Sequence, residues 1–319
     1  MKTSFIALVL LCASTVGMGQ SGDSVYLFSY FINNGEDGLH LAWSEDGLSW
    51  KALNQNQSFL KPEVGKDKLM RDPCLILNPD GIFHMVWTVS WGEKGIGYAS
   101  SRDLVNWSKQ QYLPVMEHER KALNCWAPEI IFDEENGEFM IFWSTTIPGR
   151  FPETDSSGDR KHNHRMYYVT SGDMELFSQT RLLYDPGFNS IDGTLLKHGD
   201  QYLMFLKDET RYPVAKKNIK IATAPHKTGP WSEASEAIYH KTWAEGPTIA
   251  YVGKRWILYF DRYTKDSFGA MASTDLAHWE DISDLLSFPQ GIRHGSILKV
   301  SRSVLTNILS NKNTLSLLQ

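Results

Sequence analysis

Residues 39–50 read LHLAWSEDGLSW and residues 96–107 read IGYASSRDLVNW, and the likeness between these two stretches decides the fold. Each holds a short alternating strand, a small residue and Ser, a polar turn, and an aromatic ring that closes onto the next strand. The pattern returns as MYYVTSGDMELF (166–177), IKIATAPHKTGPW (219–231) and GAMASTDLAHW (269–279), so its closing aromatics lie 57, 70, 54 and 48 residues apart. Repeats of this size with several strands apiece mark a β-propeller. The longest interval holds a Gly/Pro/Ser-rich, charged insertion from Pro148 to His164, which is expected to form part of the rim of a site.

A second pattern interleaves with the first. RDPCLIL (71–77), WAPEIIF (126–132), SIDGTLL (190–196), AEGPTIA (244–250) and RHGSILK (293–299) each set a polar residue near the start of a short apolar strand. The polar residues are Asp72, Glu129, Asp192, Glu245 and His294. Strands such as GIFHMVWTV and DQYLMFLKD lie between the two patterns, giving each repeat an inner, a middle and an outer strand. The N-terminal VYLFSYF lacks an inner strand, and RHGSILK lacks everything after one. Joined, they complete a blade. The expectation is an all-β, five-bladed propeller whose ring is closed by N-terminal strands joining the C-terminal inner strand. Val304, Leu305, Ile308 and Leu309 have helical spacing and predict a short helix packed outside.

The composition is consistent with that reading. Among 319 residues there are 11 Trp, 13 Tyr and 15 Phe, enough for aromatic interblade cores and for stacking on flat ligands. The formal net charge of -5, with no basic stripe, argues against nucleic acid. Residues 1–20 read as a signal peptide, with Lys2 ahead of an apolar run from Phe5 to Met18 that is too short for a membrane span. The chain is therefore expected to be exported to the periplasm or outside the cell, with 21–319 forming a single catalytic domain and acting as a monomer. Cys74 and Cys125 read as buried thiols, although an oxidising compartment would permit them to pair.

In a propeller the inner strands line the central axis, so five polar residues in one phase of the repeat should converge at one end of it. An RDP or EGP is an ordinary turn when taken alone. Four carboxylates and a histidine in one phase are not demanded by turn chemistry.

This set resembles glycoside hydrolase family 43, along essentially the whole chain after the leader. The resemblance implies Asp72 of RDPCLI as general base and Glu245 of AEGPTI as general acid. It implies Asp192 of SIDGTLL as the residue that orients the acid and tunes its pKa. It places His294 of RHGS on the axis near water or a cation, with a structural calcium there as the implied ion and no cofactor required. Glu129 stands where the family more often has Asp. Inversion needs a protonated and an ionised carboxyl roughly 6.5–9.5 Å apart with water between them. Glu245, beside Trp243, Ala244 and Pro247, is expected to have a raised pKa.

Substrate-binding candidates are Trp126, Glu129, Arg262, Arg71 and Trp91, while Trp143 and His84 read as core and structural residues. His162 to His164 read as a solvated loop. The implied activity is exo-acting removal of α-L-arabinofuranosyl groups from plant oligo- or polysaccharides. Rivals are β-xylosidase, exo-β-1,3-galactosidase and endo-xylanase or arabinanase action. A non-catalytic carbohydrate-binding propeller is the alternative of a different class, and a protein-binding WD propeller lacks its repeated dipeptide here.

Overall fold

A computed structural model describes residues 23–316, with side chains to 311, so the leader assigned to residues 1–20 lies outside it. Five antiparallel sheets form the ring. The first holds β1 (Ser24–Tyr30), β2 (His40–Ser44) and β3 (Lys51–Ala52). Next come β4 (Arg71–Leu77), β5 (Phe83–Thr88), β6 (Ile96–Ser101) and β7 (Gln111–Leu113). The third sheet is β8 (Trp126–Asp133), β9 (Glu138–Thr146), β10 (His164–Ser171) and β11 (Arg181–Tyr184). The fourth has β12 (Ser190–His198), β13 (Gln201–Asp208) and β14 (Asn218–Ala224). The fifth has β15 (Glu245–Val252), β16 (Arg255–Arg262), β17 (Ser267–Ser273) and β18 (Glu280–Asp281). Finally β19 (Ser296–Ser301) returns to pair with β1, register Ser29 to Ser296, and completes the first blade from both ends of the chain. The inner strands touch in the order β19, β4, β8, β12, β15 and back to β19.

Strands are apolar on both faces because each blade is covered on both sides. Val25 and Leu27 of β1 face a core shared with Met85 and Trp87, while Tyr26 and Phe28 face one shared with Ile257 and Tyr259. Five such cores, one at each blade junction, hold the ring together. Helix α1 (Arg302–Ser316) buries Leu305 and Ile308 in the first of them and leaves Leu309 exposed. No described helix is long and apolar enough to cross a membrane. Cys74 and Cys125 share one core as free thiols, so the pairing left open by the sequence is not made.

The Ser-x-Asp turn explains the first repeat. Asp46 Oδ1 accepts the backbone N–H groups of Leu48 and Ser49, and the N–H of Gly47 donates to Ser44 Oγ. Asp103 with Ser101, Asp173 with Ser171 and Asp275 with Ser273 repeat these bonds. A short polar side chain that closes a turn on its own backbone fixes where the outer strand ends.

Candidate active site

A β-bulge recurs at the same place in the inner strands. Pairing shifts between Arg71 and Cys74, Trp126 and Glu129, Ile191 and Thr194, and Glu245 and Thr248. The first bulged residue takes a left-handed φ each time: 53° at Asp72, 46° at Ala127, 56° at Asp192 and 55° at Gly246. Ahead of β19 the same offset separates Arg293, whose N–H donates to Phe31 O, from Ser296 opposite Ser29. The bulge re-aims side chains at the channel mouth. It also sorts the motifs into three tiers: Arg71, Trp126, Ile191, Glu245 and Arg293 above; Asp72, Ala127, Asp192, Gly246 and His294 in the middle; Cys74, Glu129, Thr194, Thr248 and Ser296 below. This corrects the expectation of five polar residues in one phase. Glu245 stands one tier above Asp72, and Glu129 stands one tier below.

The upper tier and the middle-tier residues Asp72, Ala127, Asp192 and His294 line a pocket of about 440 Å³ that also includes Asn33, Asn34, Thr88, Trp91, Lys207 and Glu209. That is the size range of small-ligand sites. Beneath it, a cavity of about 20 Å³ is lined by Glu129 with Asp72, Asp192 and His294. Glu129 therefore sits under the pocket rather than on its wall, contrary to its expected place among the sugar-binding residues. Burial pushes its carboxyl up to about 8, against a bond from Thr194. Arg262, at the end of β16, is not among the residues that line the pocket.

Asp72 is buried. Its Oδ2 accepts the Thr88 hydroxyl at 2.7 Å, and its Oδ1 lies 3.0 Å from His294 Nε2, an ion contact poorly aligned for a hydrogen bond. Burial works to raise the Asp72 pKa, but the His294 charge, and Arg71 behind it, hold it below the ordinary carboxylate range. The reverse holds for His294. Burial favours the neutral ring, yet Asp72, Glu245 and Asp192 push its pKa well above the usual value.

Glu245 contradicts its expected state. Lys207 Nζ lies 3.0 Å from Oε2, and Arg293 Nη2 lies 3.0 Å from Oε1, with His294 Nδ1 at 3.8 Å. Burial raises its pKa, but Lys207, His294 and Arg293 outweigh burial and hold the carboxyl below its ordinary range. Asp192, pushed to about 6 by burial and by the carboxylates of Glu245 and Asp72, is the raised one. Its Oδ2 accepts the Gly246 N–H at 3.1 Å, tying it to the residue after Glu245. Gly246 is obligatory here, because a Cβ would fall 2.1 Å from His294 Cγ.

Lys207 and Arg293 were not selected from sequence. Lys207 ends the apolar run of β13, is 3% exposed, and also contacts Glu209 at 2.6 Å. Glu209 in turn meets Lys217, which reaches Asp159 of the insertion at 3.3 Å. The signal was a lysine continuing a buried strand, a position that must carry a counter-charge.

The Pro148–His164 insertion also departs from expectation. It does not line the pocket but stands behind it. His164 is buried, His162 is half-buried, and both pack on Trp126 at 5.0 and 4.8 Å between ring centres, so this is not a solvated loop. Buried Arg165 holds the insertion through Asp185, Asn163, Thr154 and the Phe151 ring. Trp143 and His84 are buried as expected, His84 bonded to the Tyr98 hydroxyl at 2.8 Å.

An ion near His294 was the remaining expectation. Ligand atoms of Glu245, Asp261 and His294 lie within 4.8 Å of one another. Arg293, however, already pairs with Asp261 at 2.8 Å and with Glu245 at 3.0 Å, and His294 is itself cationic. Protein cations fill the role, so the trio does not fit a calcium site, which wants ionised oxygen donors.

Comparison with known proteins agrees with this architecture. An α-L-arabinofuranosidase of Bifidobacterium longum is 23% identical over 231 residues, covering 64% of this chain and 22% of that enzyme. A bifunctional fructosyltransferase of Allium cepa is 27% identical over 149 residues, 44% of this chain and 21% of that one. The chain thus spans about a fifth of the length of these relatives. Among solved structures, a thermostable family-43 glycoside hydrolase superposes with TM-score 0.53 at 17% identity, over 70% of this chain and 78% of that one. The α-L-arabinofuranosidase from Lactobacillus brevis gives 0.52 at 17% identity, over 67% and 72%. A family model described as a probable glycosyl hydrolase domain, related to family 43, matches residues 23–305. The chain belongs to this glycosyl hydrolase family.

Proposed function

We propose that the chain is an exported, inverting glycoside hydrolase that removes terminal α-L-arabinofuranosyl groups from plant polysaccharides. One observation carries the chemistry: Asp72 and Glu245 sit on opposite sides of a single imidazole, His294, at the floor of a sugar-sized pocket. An ionised Asp72 takes a proton from water, whose oxygen attacks the anomeric carbon, while Glu245 gives a proton to the leaving oxygen. As the structure stands, Lys207 and Arg293 favour the ionised form of Glu245, and the proton belongs to its neighbour Asp192. A sugar that draws hydrogen bonds from Arg293 weakens that hold, and the proton shared within the pair passes to Glu245. The arabinofuranosyl choice is supported by the Bifidobacterium longum relative and by the motif set as a whole.

The test is hydrolysis of nitrophenyl arabinofuranosides, xylosides and galactosides, with NMR of the first-formed product anomer. Inverted arabinose is expected. A retained anomer would overturn the mechanism, cleavage of another sugar would replace the substrate, and no cleavage of any member would favour a binding propeller.

A further inference from the structure

Four cations line the pocket: Arg71, Lys207, Arg293 and His294. Three are matched to carboxylates at contact distance, namely Lys207 to Glu209 and Glu245, Arg293 to Asp261 and Glu245, and His294 to Asp72. Arg71 is not. Among the described residues its polar partner is Asn34, whose Oδ1 accepts from Nη1 at 3.0 Å. Asn34 accepts from Trp91 Nε1 as well, at 3.1 Å, and its amide donates to Glu36 at 3.0 Å, so it stands between Arg71 and that carboxylate.

The guanidinium is fixed by rings rather than by charge. It lies 4.7 Å from the centre of Phe31 and 4.3 Å from that of Trp91. A stacked guanidinium keeps its donor edge in a set plane, and one of its five N–H groups is used by Asn34. Arg71 acts on Asp72 only through its field, since Thr88 and His294 already serve both oxygens of that carboxylate. Trp91 leaves 49% of its surface open, whereas Asp72, Asp192 and His294 are all buried, so Arg71 and Trp91 form the outer wall.

We infer that this wall holds a sugar bearing a carboxylate, a uronic acid residue adjoining the sugar that is cleaved. An open aromatic surface beside an unmatched planar cation suits a pyranose ring whose carboxylate takes paired N–H bonds from Arg71. The inference rests on the pocket being the glycosidase site, and it narrows the substrate to an acidic oligo- or polysaccharide.

The experiment is calorimetric titration of the whole chain with oligogalacturonides and glucuronate-containing oligosaccharides, each against the same sugar after carboxyl reduction. The acidic forms should bind at least tenfold tighter at low salt, with the advantage shrinking as NaCl is added. Arg71→Met should remove most of that ratio and Arg71→Lys should keep part of it, both variants being checked for native circular dichroism. Equal affinity for the reduced sugars, an advantage that survives Arg71→Met, or no binding of any sugar would each overturn the inference. Binding is read apart from turnover, so failure of the hydrolase reading shows separately, as a wild type that binds acidic sugars but cleaves none.

Discussion

Lys207 sets its ammonium 3.0 Å from Oε2 of Glu245, so the proposed proton donor is held as an ion pair. Removing the cation must raise the carboxyl pKa, because the positive charge favours the ionised form. Lys207→Met should therefore move the basic limb of the kcat/KM profile upward by about one pH unit or more, and Lys207→Arg should restore most of the original limb. The pair also bears on stability. With its folded pKa depressed, Glu245 contributes stability that is present above about pH 4.3 and lost as pH falls through the lower folded value.

Asp72→Asn and Glu245→Gln should each lower kcat/KM by about 10²–10⁴ while circular dichroism remains that of the folded propeller. A variant retaining near wild-type turnover would remove that carboxylate from the mechanism.

The His294 contact with Asp72 makes the fold sensitive to alkali. Its folded pKa is raised, so this contribution is complete below the unfolded value of about 6.5 and is lost as pH rises through the higher folded value. Melting temperatures between pH 6 and pH 10 should decline on that account. The decline should be shallower in Asp72→Asn.

Glu129 adds to the same alkaline sensitivity. Its carboxyl is pushed up to about 8, so the fold favours the protonated form, and stability is lost as pH rises from about 4.3 through 8. Glu129→Gln should melt higher than the wild type at pH 8 and close to it at pH 4. Because Glu129 lies below the pocket, KM should be little changed.

Gly246→Ala places a Cβ 2.1 Å from His294 Cγ on a residue whose φ is 55°. A strained backbone together with overpacking costs about 2–5 kcal/mol. Differential scanning calorimetry should show the loss, and activity should fall with it because His294 must move.

The ring and its closure were legible because the Ser-x-Asp turn is local chemistry, repeated in four blades, and a short-range pattern survives in sequence. Asp72, Asp192 and His294 were legible as a set because all three stand at the same offset ahead of their inner strand's regular pairing. The tiers of Glu129 and Glu245 were not, since a bulge displaces neighbours by one register without changing the letters. Lys207 and Glu209 come from the second strand of a blade and the loop after it, outside the inner-strand motifs. The charge on Glu245 followed from Lys207, with His294 and Arg293, so an environment judged from Trp243, Ala244 and Pro247 alone gave the wrong sign. His162 and His164 were misread because their partner, Trp126, lies 36 residues or more away in sequence and meets them only through sheet pairing.

Strand β19 pairs with β1 and carries the RHGS turn beside it, and this placement bears on how the protein is made. During synthesis, Asp72, Asp192 and Glu245 leave the ribosome well before Arg293 and His294. A nascent or nicked product that ends ahead of the closing strand would lack two of the cations that stand among the three carboxylates in the closed ring. The proposed acid and base would then have no closed site in which to differ, so assembly of that site waits for the closing strand.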